Sequence, residues 1–579
     1  MCGIVGIVAG KPFPVKGELL KRLKKLEYRG YDSVGYATAE GDVRKAVGQI
    51  DDFVARVPES ETRLAISHAR WATHGGVTEG NAHPHWDPEK KVFIVHNGII
   101  ENSDELKDEI AESGVRFISE TDSEVISQFI SARLEKGASI EQAIQDFMSS
   151  ARGTYAVLLL YKGDPNLYAF KKDSPIALGV SDGKMVLASD IYAFSDLTKK
   201  VVFFDDHEYA VISPNSYSFY NANGKKVEKE VNQVDWEEEA SDSREYEHYM
   251  LKEIHEQPAA ASRLINSLTS GNQKERLSEM VKLMKESKRT IFVACGSSYF
   301  ATLLGVYFLH ETGTRAQTLI ASEFENFAFV DSDTLVVAVS QSGETMDVVS
   351  ALKYAKSKGA RIASIVNVPY STIQRMSDAS IEIYAGQEVC VASTKTFTNQ
   401  ALVMLAIAGE FGFQTNLGEI PAQLEKTIGD NEQKAIEVCK RLKSMNDVYV
   451  LGRGISYPAA REFALKLKEI AYVHAEGMMG GELKHGTIAL IEEGTPVVSL
   501  IPNHDADIIS NTREVEARGA WVLRISNNPP SDFAIPAAEH GAFALMSVII
   551  GQLLAYYTAY EKELPIDKPR NLAKSVTVK

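Results

Sequence analysis

The chain of 579 residues has only four cysteines, Cys2, Cys295, Cys390 and Cys439, widely scattered and without a CxxC pair. That spacing excludes a disulfide-stapled secreted framework and makes a reducing cytosol the expected compartment. Basic residues are also short. There are 62 Lys and Arg against 78 Asp and Glu, a formal net charge of −16. A phosphate backbone attracts a basic surface, so nucleic acid is not expected as a main partner. The apolar start lacks the basic n-region and cleavage site of a secretory signal. No apolar run approaches the roughly 20 residues that cross a bilayer, so no membrane partner is expected. What is there is 44% hydrophobic and 24% charged, an ordinary globular composition with material for three or four domains.

Cys2 follows Met1 directly in MCGIVGI (1–7). Trimming Met1 would give one residue both a thiol and a free α-amine. Such an amine titrates near pH ~7.7–8.0 and can take the thiol proton at neutral pH. A buried free cysteine opening a strand is the plainer alternative.

Up to about residue 230 short β-type runs dominate: Ile4–Val8, Val92–Val95, Tyr155–Tyr161, Val186–Ala188 and Val201–Phe204. They predict layered sheets, with helices at Leu19–Leu26 and Glu124–Leu134. The acidic stretch 235–247 reads as a linker. Beyond it the texture is strand–loop–helix, the mark of a parallel α/β sheet. It is also duplicated: 289–304 resembles 446–467, and 333–366 resembles 495–526. Two similar doubly wound domains follow, split near residue 430.

The copies differ in one loop. The first has Ser340-Gln341-Ser342-Gly343-Glu344-Thr345 between strand and helix; the second has Pro502-Asn503-His504-Asp505-Ala506-Asp507. Hydroxyls, an amide and a glycine at a helix N-terminus make a phosphate cradle, whereas two aspartates repel phosphate. Gly296-Ser297-Ser298 and Ser393-Thr394-Lys395-Thr396 are further hydroxyl-rich turns, and all three are expected at the carboxyl edge of one sheet. A rival dinucleotide turn at Gly452-Arg453-Gly454 lacks the third glycine, having Tyr457 there. Five histidines (His68, His74, His83, His85, His96) crowd one stretch, but no cysteine or paired carboxylate has zinc-ligand spacing among them, and no metal is expected. No cofactor is expected either.

The blocks MCGIVGI, LEYRGYDS (26–33), RWATHG (70–75), NAHPH (81–85), VHNGIIEN (95–102), SQSGET (340–345), VASTK (391–395), LKLKEI (465–470), GELKHG (481–486) and PRNLAKSVTV (569–578) together resemble the glutamine–fructose-6-phosphate aminotransferases (isomerising) along the full chain. The resemblance implies an α/β multidomain protein. An N-terminal-nucleophile (Ntn) hydrolase domain of layered αββα type would occupy 1–238. A first sugar-isomerase (SIS) domain would occupy 239–429, and a second, with a C-terminal catalytic tail, 430–579.

The same resemblance implies the site residues. Cys2 would attack the glutamine side-chain amide, with Asn97 and the Gly98 N–H stabilising the oxyanion. Arg70 would grip the substrate α-carboxylate and Asp122 its α-ammonium, under a loop carrying Trp71, Thr73 and His74. Fructose 6-phosphate would lie on Ser297, Ser298, Ser340, Gln341, Ser342 and Thr345, with Val391 and Ser393 against the sugar. His485 would open the ring, Lys574 would form an imine at C2, and Glu469, with Lys466 beside it, would move the C1 proton. The implied product is glucosamine 6-phosphate, with ammonia passed between sites along a dry passage gated by Trp71. The implied assembly is a homodimer or larger, with His485 supplied across the interface. On spacing alone Glu469 and Lys466 read as a helix-surface ion pair, and Lys574 as part of a solvated end. A glutamine-independent SIS isomerase or sugar-phosphate sensor is the alternative, but it leaves Cys2, Arg70 and Asn97 without a purpose.

Overall fold

The computed structural model describes residues 2–72, 74–111, 116–234, 246–536 and 539–576. It divides into two compact units, Met1–Glu238 with Ala573–Lys579, and Glu239–Leu572. The linker expected at 235–247 falls mostly outside the described residues.

In the first unit two antiparallel sheets face each other. One has eight strands, with Gly3–Pro14 between Lys184–Ala188 and Glu61–Arg70, and Ser33–Thr38 beyond the latter. The other has seven, with Val92–Ile100 between His85–Trp86 and Gly153–Tyr161. Strand side chains alternate faces, and the sequence obeys that rule strictly. Ile4, Val8, Leu64, Ile66, Phe93, Val95, Leu158 and Leu160 fill the space between the sheets. Val92, Ile94, Val157 and Leu159 point the other way, onto helices Glu124–Glu135 and Ile140–Ser150. Helical segments Val15–Leu20 and Lys21–Lys24 lie on the outer side of the first sheet. The order is helix, sheet, sheet, helix, as the αββα expectation has it.

Strand positions agree with the sequence reading to within a few residues, and the helix at 124–134 is observed as Glu124–Glu135. The helix at Leu19–Leu26 starts earlier and is broken into two pieces. Three more helices were not anticipated: Ser103–Ala111, Ile140–Ser150 and the shorter Ile50–Arg56. Ser139 caps the second, accepting from the Gln142 N–H at 3.2 Å. Ser139 and Gln142 form the S-x-x-Q spacing of a capping box, so that helix start was readable.

The second unit holds two five-stranded sheets, all parallel. In each, the first strand lies second from one edge: Arg289–Ala294 beside Thr334–Ser340 in one, Asp447–Gly452 beside Pro496–Ile501 in the other. Both follow the doubly wound 2-1-3-4-5 order. Helices Tyr249–Thr269, Gly296–Glu311, Lys395–Glu410, Ile420–Leu442, Ser456–Ala471 and His540–Glu561 share one continuous apolar core. Gly541–Glu561 is long and apolar enough to cross a membrane, contrary to the expectation that no such run exists, but 94% of that stretch is buried within the protein. Residue 430, the expected division, lies inside the Ile420–Leu442 helix, and the end of the chain from Ala573 is grouped with the first unit.

Asp567 closes the second unit. Its carboxylate accepts from the N–H groups of Tyr249 and Met250, both at 2.9 Å, at the start of Tyr249–Thr269, and its carbonyl accepts from the Val391 N–H at 3.1 Å. A carboxylate at a helix N-terminus satisfies orphan donors and complements the dipole. Asp567→Ala is therefore expected to lower the stability of the second unit by about 1–2 kcal/mol and to speed proteolysis of the chain beyond Leu564. Chemical denaturation and limited proteolysis check both.

Candidate active site

In the first unit Cys2 immediately precedes the Gly3–Pro14 strand. The Trp71 N–H donates to Cys2 Sγ at 3.2 Å, and the thiol faces the Trp71 carbonyl at 3.5 Å. The segment that carries Trp71 is itself held: the Ala72 N–H donates to Asp32 Oδ2 at 2.7 Å. From the other sheet, Asn97 Nδ2 donates to the Cys2 carbonyl at 2.9 Å. An amide nitrogen has two hydrogens, and this bond uses one of them. Burial pushes the Cys2 thiol up, while the Trp71 N–H and the Arg70 guanidinium pull it down.

Gly98 has φ +135°, and a Cβ there would meet the Thr154 carbonyl oxygen at 2.0 Å. Only glycine fits that backbone. Arg70 and Asp122 are both buried rather than surface charges. Arg70 donates to the carbonyls of His74 (2.5 Å), Gly76 (3.1 Å) and Gly75 (3.3 Å). Burial lowers its pKa, opposed by Cys2, Asp32 and Asp122. Backbone carbonyl oxygens thus occupy the Arg70 guanidinium. Asp122 accepts from the Ile100 N–H at 2.7 Å and from Ser123 Oγ at 3.4 Å. Trp71 is half-buried and His74 exposed; Thr73 lies outside the described residues.

His68 and His83 pack with their rings tilted by 32° and centroids 4.1 Å apart, and His83 meets His85 edge-to-face at 4.5 Å. Both ring nitrogens of His83 lack a hydrogen-bond partner among the described residues. Burial lowers all of these and His96; His68 falls to about 3.

In the second unit the Ser340–Thr345 loop folds on itself. Ser340 Oγ lies 3.1 Å from Thr345 Oγ1 and accepts from the Gly343 N–H at 3.1 Å; Ser342 Oγ accepts from the Glu344 N–H at 3.2 Å. The Gln341 carbonyl takes the N–H groups of Asn367 and Val368. Gly343 has φ +64°, and a Cβ would lie 1.9 Å from Ser371 Oγ. Thr345 heads the Met346–Ser357 helix and Cys295 heads Gly296–Glu311, and neither gives a side-chain cap among the described residues. Ser298, in the first turn of the latter, is half-buried. Ser393 Oγ is buried with no partner among the described residues.

Two other helix starts are occupied by the protein's own carboxylates. Glu388 Oε1 accepts from the Thr394 and Thr396 N–H groups at 2.9 and 3.0 Å. In the second copy, Asp505 accepts from Asp507 and Ile508, and Arg453 pairs with both aspartates.

Lys466 is fully buried. Its Nζ donates to Glu469 Oε2 at 2.5 Å and to Ser297 Oγ at 3.0 Å, and stands 3.3 Å from Glu462 Oε1. Ser297 belongs to the first sheet domain and Lys466 to the second, so this contact joins them. Burial, then Glu469, raises the Glu462 carboxyl to about 7, with Lys466 opposing. Burial would depress the Lys466 ammonium, but the two carboxylates raise it overall. The Glu469 side chain keeps 22% exposure. The pair is therefore part of a buried triad, not a surface ion pair. His485 is exposed at the end of Gly480–His485, and Lys574 lies in the segment grouped with the first unit.

Residues 68–196 match a glutamine amidotransferase domain, and 283–408 and 441–562 each match a SIS domain. The chain is 39% identical to the glutamine–fructose-6-phosphate aminotransferase (isomerizing) of Thermococcus kodakarensis and 40% identical to that of Pyrococcus horikoshii, covering all of each. It belongs to the glutamine–fructose-6-phosphate aminotransferase family. A solved C-terminal domain of glucosamine-fructose-6-phosphate aminotransferase from Francisella tularensis, 32% identical, matches 57% of the chain and all of that domain with a TM-score of 0.51.

Within this aminotransferase framework, Asp32, Glu388 and Glu462 are residues that the sequence reading passed over. Glu462 had a signal: it stands four residues before Lys466, on the same helix face. Asp32 and Glu388 act on backbone N–H groups through loops, which spacing does not encode.

The buried histidines predict a pH effect. Their folded pKa values lie below the ordinary value of about 6.5, so the unfolded chain binds more protons once the pH drops beneath it. The stability they contribute is complete above that pH and is lost on acidification, at up to about 1.4 kcal/mol per pH unit for each histidine. Between pH 7 and 5.5 the melting transition of the first unit should fall markedly more than that of the second, as followed by calorimetry.

Proposed function

We infer that the chain hydrolyses L-glutamine in its first unit and uses the ammonia to convert fructose 6-phosphate into glucosamine 6-phosphate. The observation that carries this reading is the pairing of two sites in one chain. One is a half-buried thiol held by the Trp71 N–H beside the Asn97 amide. The other is a hydroxyl-lined loop at two helix starts without side-chain caps among the described residues. An SIS isomerase or sensor acting alone would have no use for the first.

With Met1 removed, the α-amine of Cys2 takes the thiol proton and the sulfur attacks the glutamine amide carbon. The C–N bond breaks, ammonia leaves, and water releases glutamate from the thioester. Asn97 Nδ2 and the Gly98 N–H receive the oxyanion charge. Arg70 exchanges its loop carbonyls for the substrate carboxylate, a bidentate partner, and Asp122 takes the α-ammonium, with Trp71, Thr73 and His74 closing over it.

In the second unit the sugar phosphate lies on Ser297, Ser298, Ser340, Gln341, Ser342 and Thr345, with Val391 and Ser393 at the sugar. His485 opens the ring, Lys574 forms the C2 imine, and ammonia displaces it. Glu469 carries the proton from C1 to C2, and Lys466, held between Glu462 and Glu469, keeps that carboxylate in place. The domain division is 1–238, 239–429 and 430–579, in a homodimer or larger that lends His485 across its interface. A cytosolic setting agrees with four free thiols.

The test is incubation with glutamine and fructose 6-phosphate, measuring glutamate and amino sugar in parallel. The wild type should form both in near-equal amounts. Cys2→Ala should lose glutamate and glutamine-dependent amino sugar together, by at least 10³-fold. Lys574→Arg should lose amino sugar while still releasing glutamate. Amino sugar formed from glutamine by Cys2→Ala at the wild-type rate would refute the reading.

A further inference from the structure

We propose that His68 is a positioning residue of the amidase site, whose ring locks the sheet that carries the nucleophile to the sheet that carries the oxyanion donors. The proposal rests on the amidase reading above. On the Glu61–Arg70 strand, Leu64 and Ile66 point between the sheets, and period-two alternation puts His68 on the same face. His68 is fully buried. Its strand pairs with Gly3–Pro14, with Ile4 directly opposite His68.

His68 Nε2 lies 3.0 Å from the carbonyl oxygen of His96, a residue of the opposite sheet. A carbonyl only accepts, so Nε2 carries the proton. That carbonyl belongs to the peptide that continues into Asn97 and Gly98. The Asn97 side chain shares the inter-sheet face with Phe93 and Val95. Asn97 Oδ1 and His68 Nδ1 are both buried without a hydrogen-bond partner among the described residues.

Apolar packing between two sheets is non-directional and tolerates small slides. A nucleophile on one layer and an oxyanion hole on the other do not, because a misplacement of about 1 Å costs on the order of 10²-fold in rate. Two directional bonds beside Cys2 cross the gap: Asn97 Nδ2 to the Cys2 carbonyl at 2.9 Å, and His68 Nε2 to the His96 carbonyl at 3.0 Å. The first involves a group that also meets the substrate. The second does not, and so serves alignment alone.

Gln and Met are close in shape, and only Gln offers a donor near the position of Nε2. His68→Met should lower kcat for glutamine hydrolysis about 10- to 100-fold, less than deletion of an oxyanion donor (about 10²–10³-fold). The glutamine KM should stay within about threefold, and His68→Gln should recover kcat to within about threefold.

Alkylation of Cys2 by iodoacetamide is the discriminating readout. There the sulfur displaces iodide directly, a C–S bond forming as the C–I bond breaks, and no oxyanion develops. Its rate, followed by mass spectrometry of the N-terminal peptide, should stay within about twofold of wild type in both variants. The proposal is overturned if His68→Met keeps wild-type kcat, if Gln and Met lose equally, or if alkylation falls in step with hydrolysis. Should His68→Met fail to fold, His68→Phe replaces it as the donor-free ring. Failure of the amidase reading itself shows separately, as glutamine hydrolysis that survives Cys2→Ala in an otherwise wild-type chain.

Discussion

Period-two alternation of strand side chains governs the first unit. Leu64, Ile66, His68 and Arg70 are successive same-face positions on one strand, and Phe93, Val95 and Asn97 are on another. Read toward the carboxyl end, each series passes from aliphatic core to polar site without changing face. The core that holds the two layers together therefore also aims Arg70 and Asn97 at Cys2. A one-residue slip in either strand would turn these groups to the wrong face, so the apolar pattern that specifies the fold specifies the chemistry as well.

The second unit is governed by the unsatisfied N–H groups at helix starts. Each such terminus favours an anion, and the chain supplies its own to three of them: Glu388 for Lys395–Glu410, Asp505 for Ala506–Glu516, and Asp567 for Tyr249–Thr269. Among the described residues, the helices that begin after Cys295 and Thr345 have no such side-chain cap. Where the loops of the two copies differ, the helix start of the second copy is thus filled by Asp505. Lys466 then binds the halves through Ser297, Glu462 and Glu469. Losing one member of so buried a set leaves the remaining charges uncompensated.

Much of this was legible in the sequence. The duplication read from 289–304 and 446–467 appears as two sheets with the same strand order, because a strand–glycine–helix signal is local. The contrast between the Ser340 and Asp505 loops was likewise visible, since both are short segments with the partner groups inside them. The buried state of Arg70, Asp122 and Lys466 was not, because composition assigns charged residues to the surface and their neighbours come from distant strands. The Ile420–Leu442 helix, which carries residue 430 in its interior, was equally hidden: a long amphipathic helix gives no mark where one sheet's territory ends.

The grouping of Ala573–Lys579 with the first unit has a consequence for synthesis. Chains are made from the amino end at roughly 5–20 residues per second, and early domains fold as they emerge. The whole Glu239–Leu572 segment must be translated before that last strip exists, a delay of roughly 20–70 s at those speeds. The thiol-bearing layers are thus complete in the nascent chain long before Ala573–Lys579 is made.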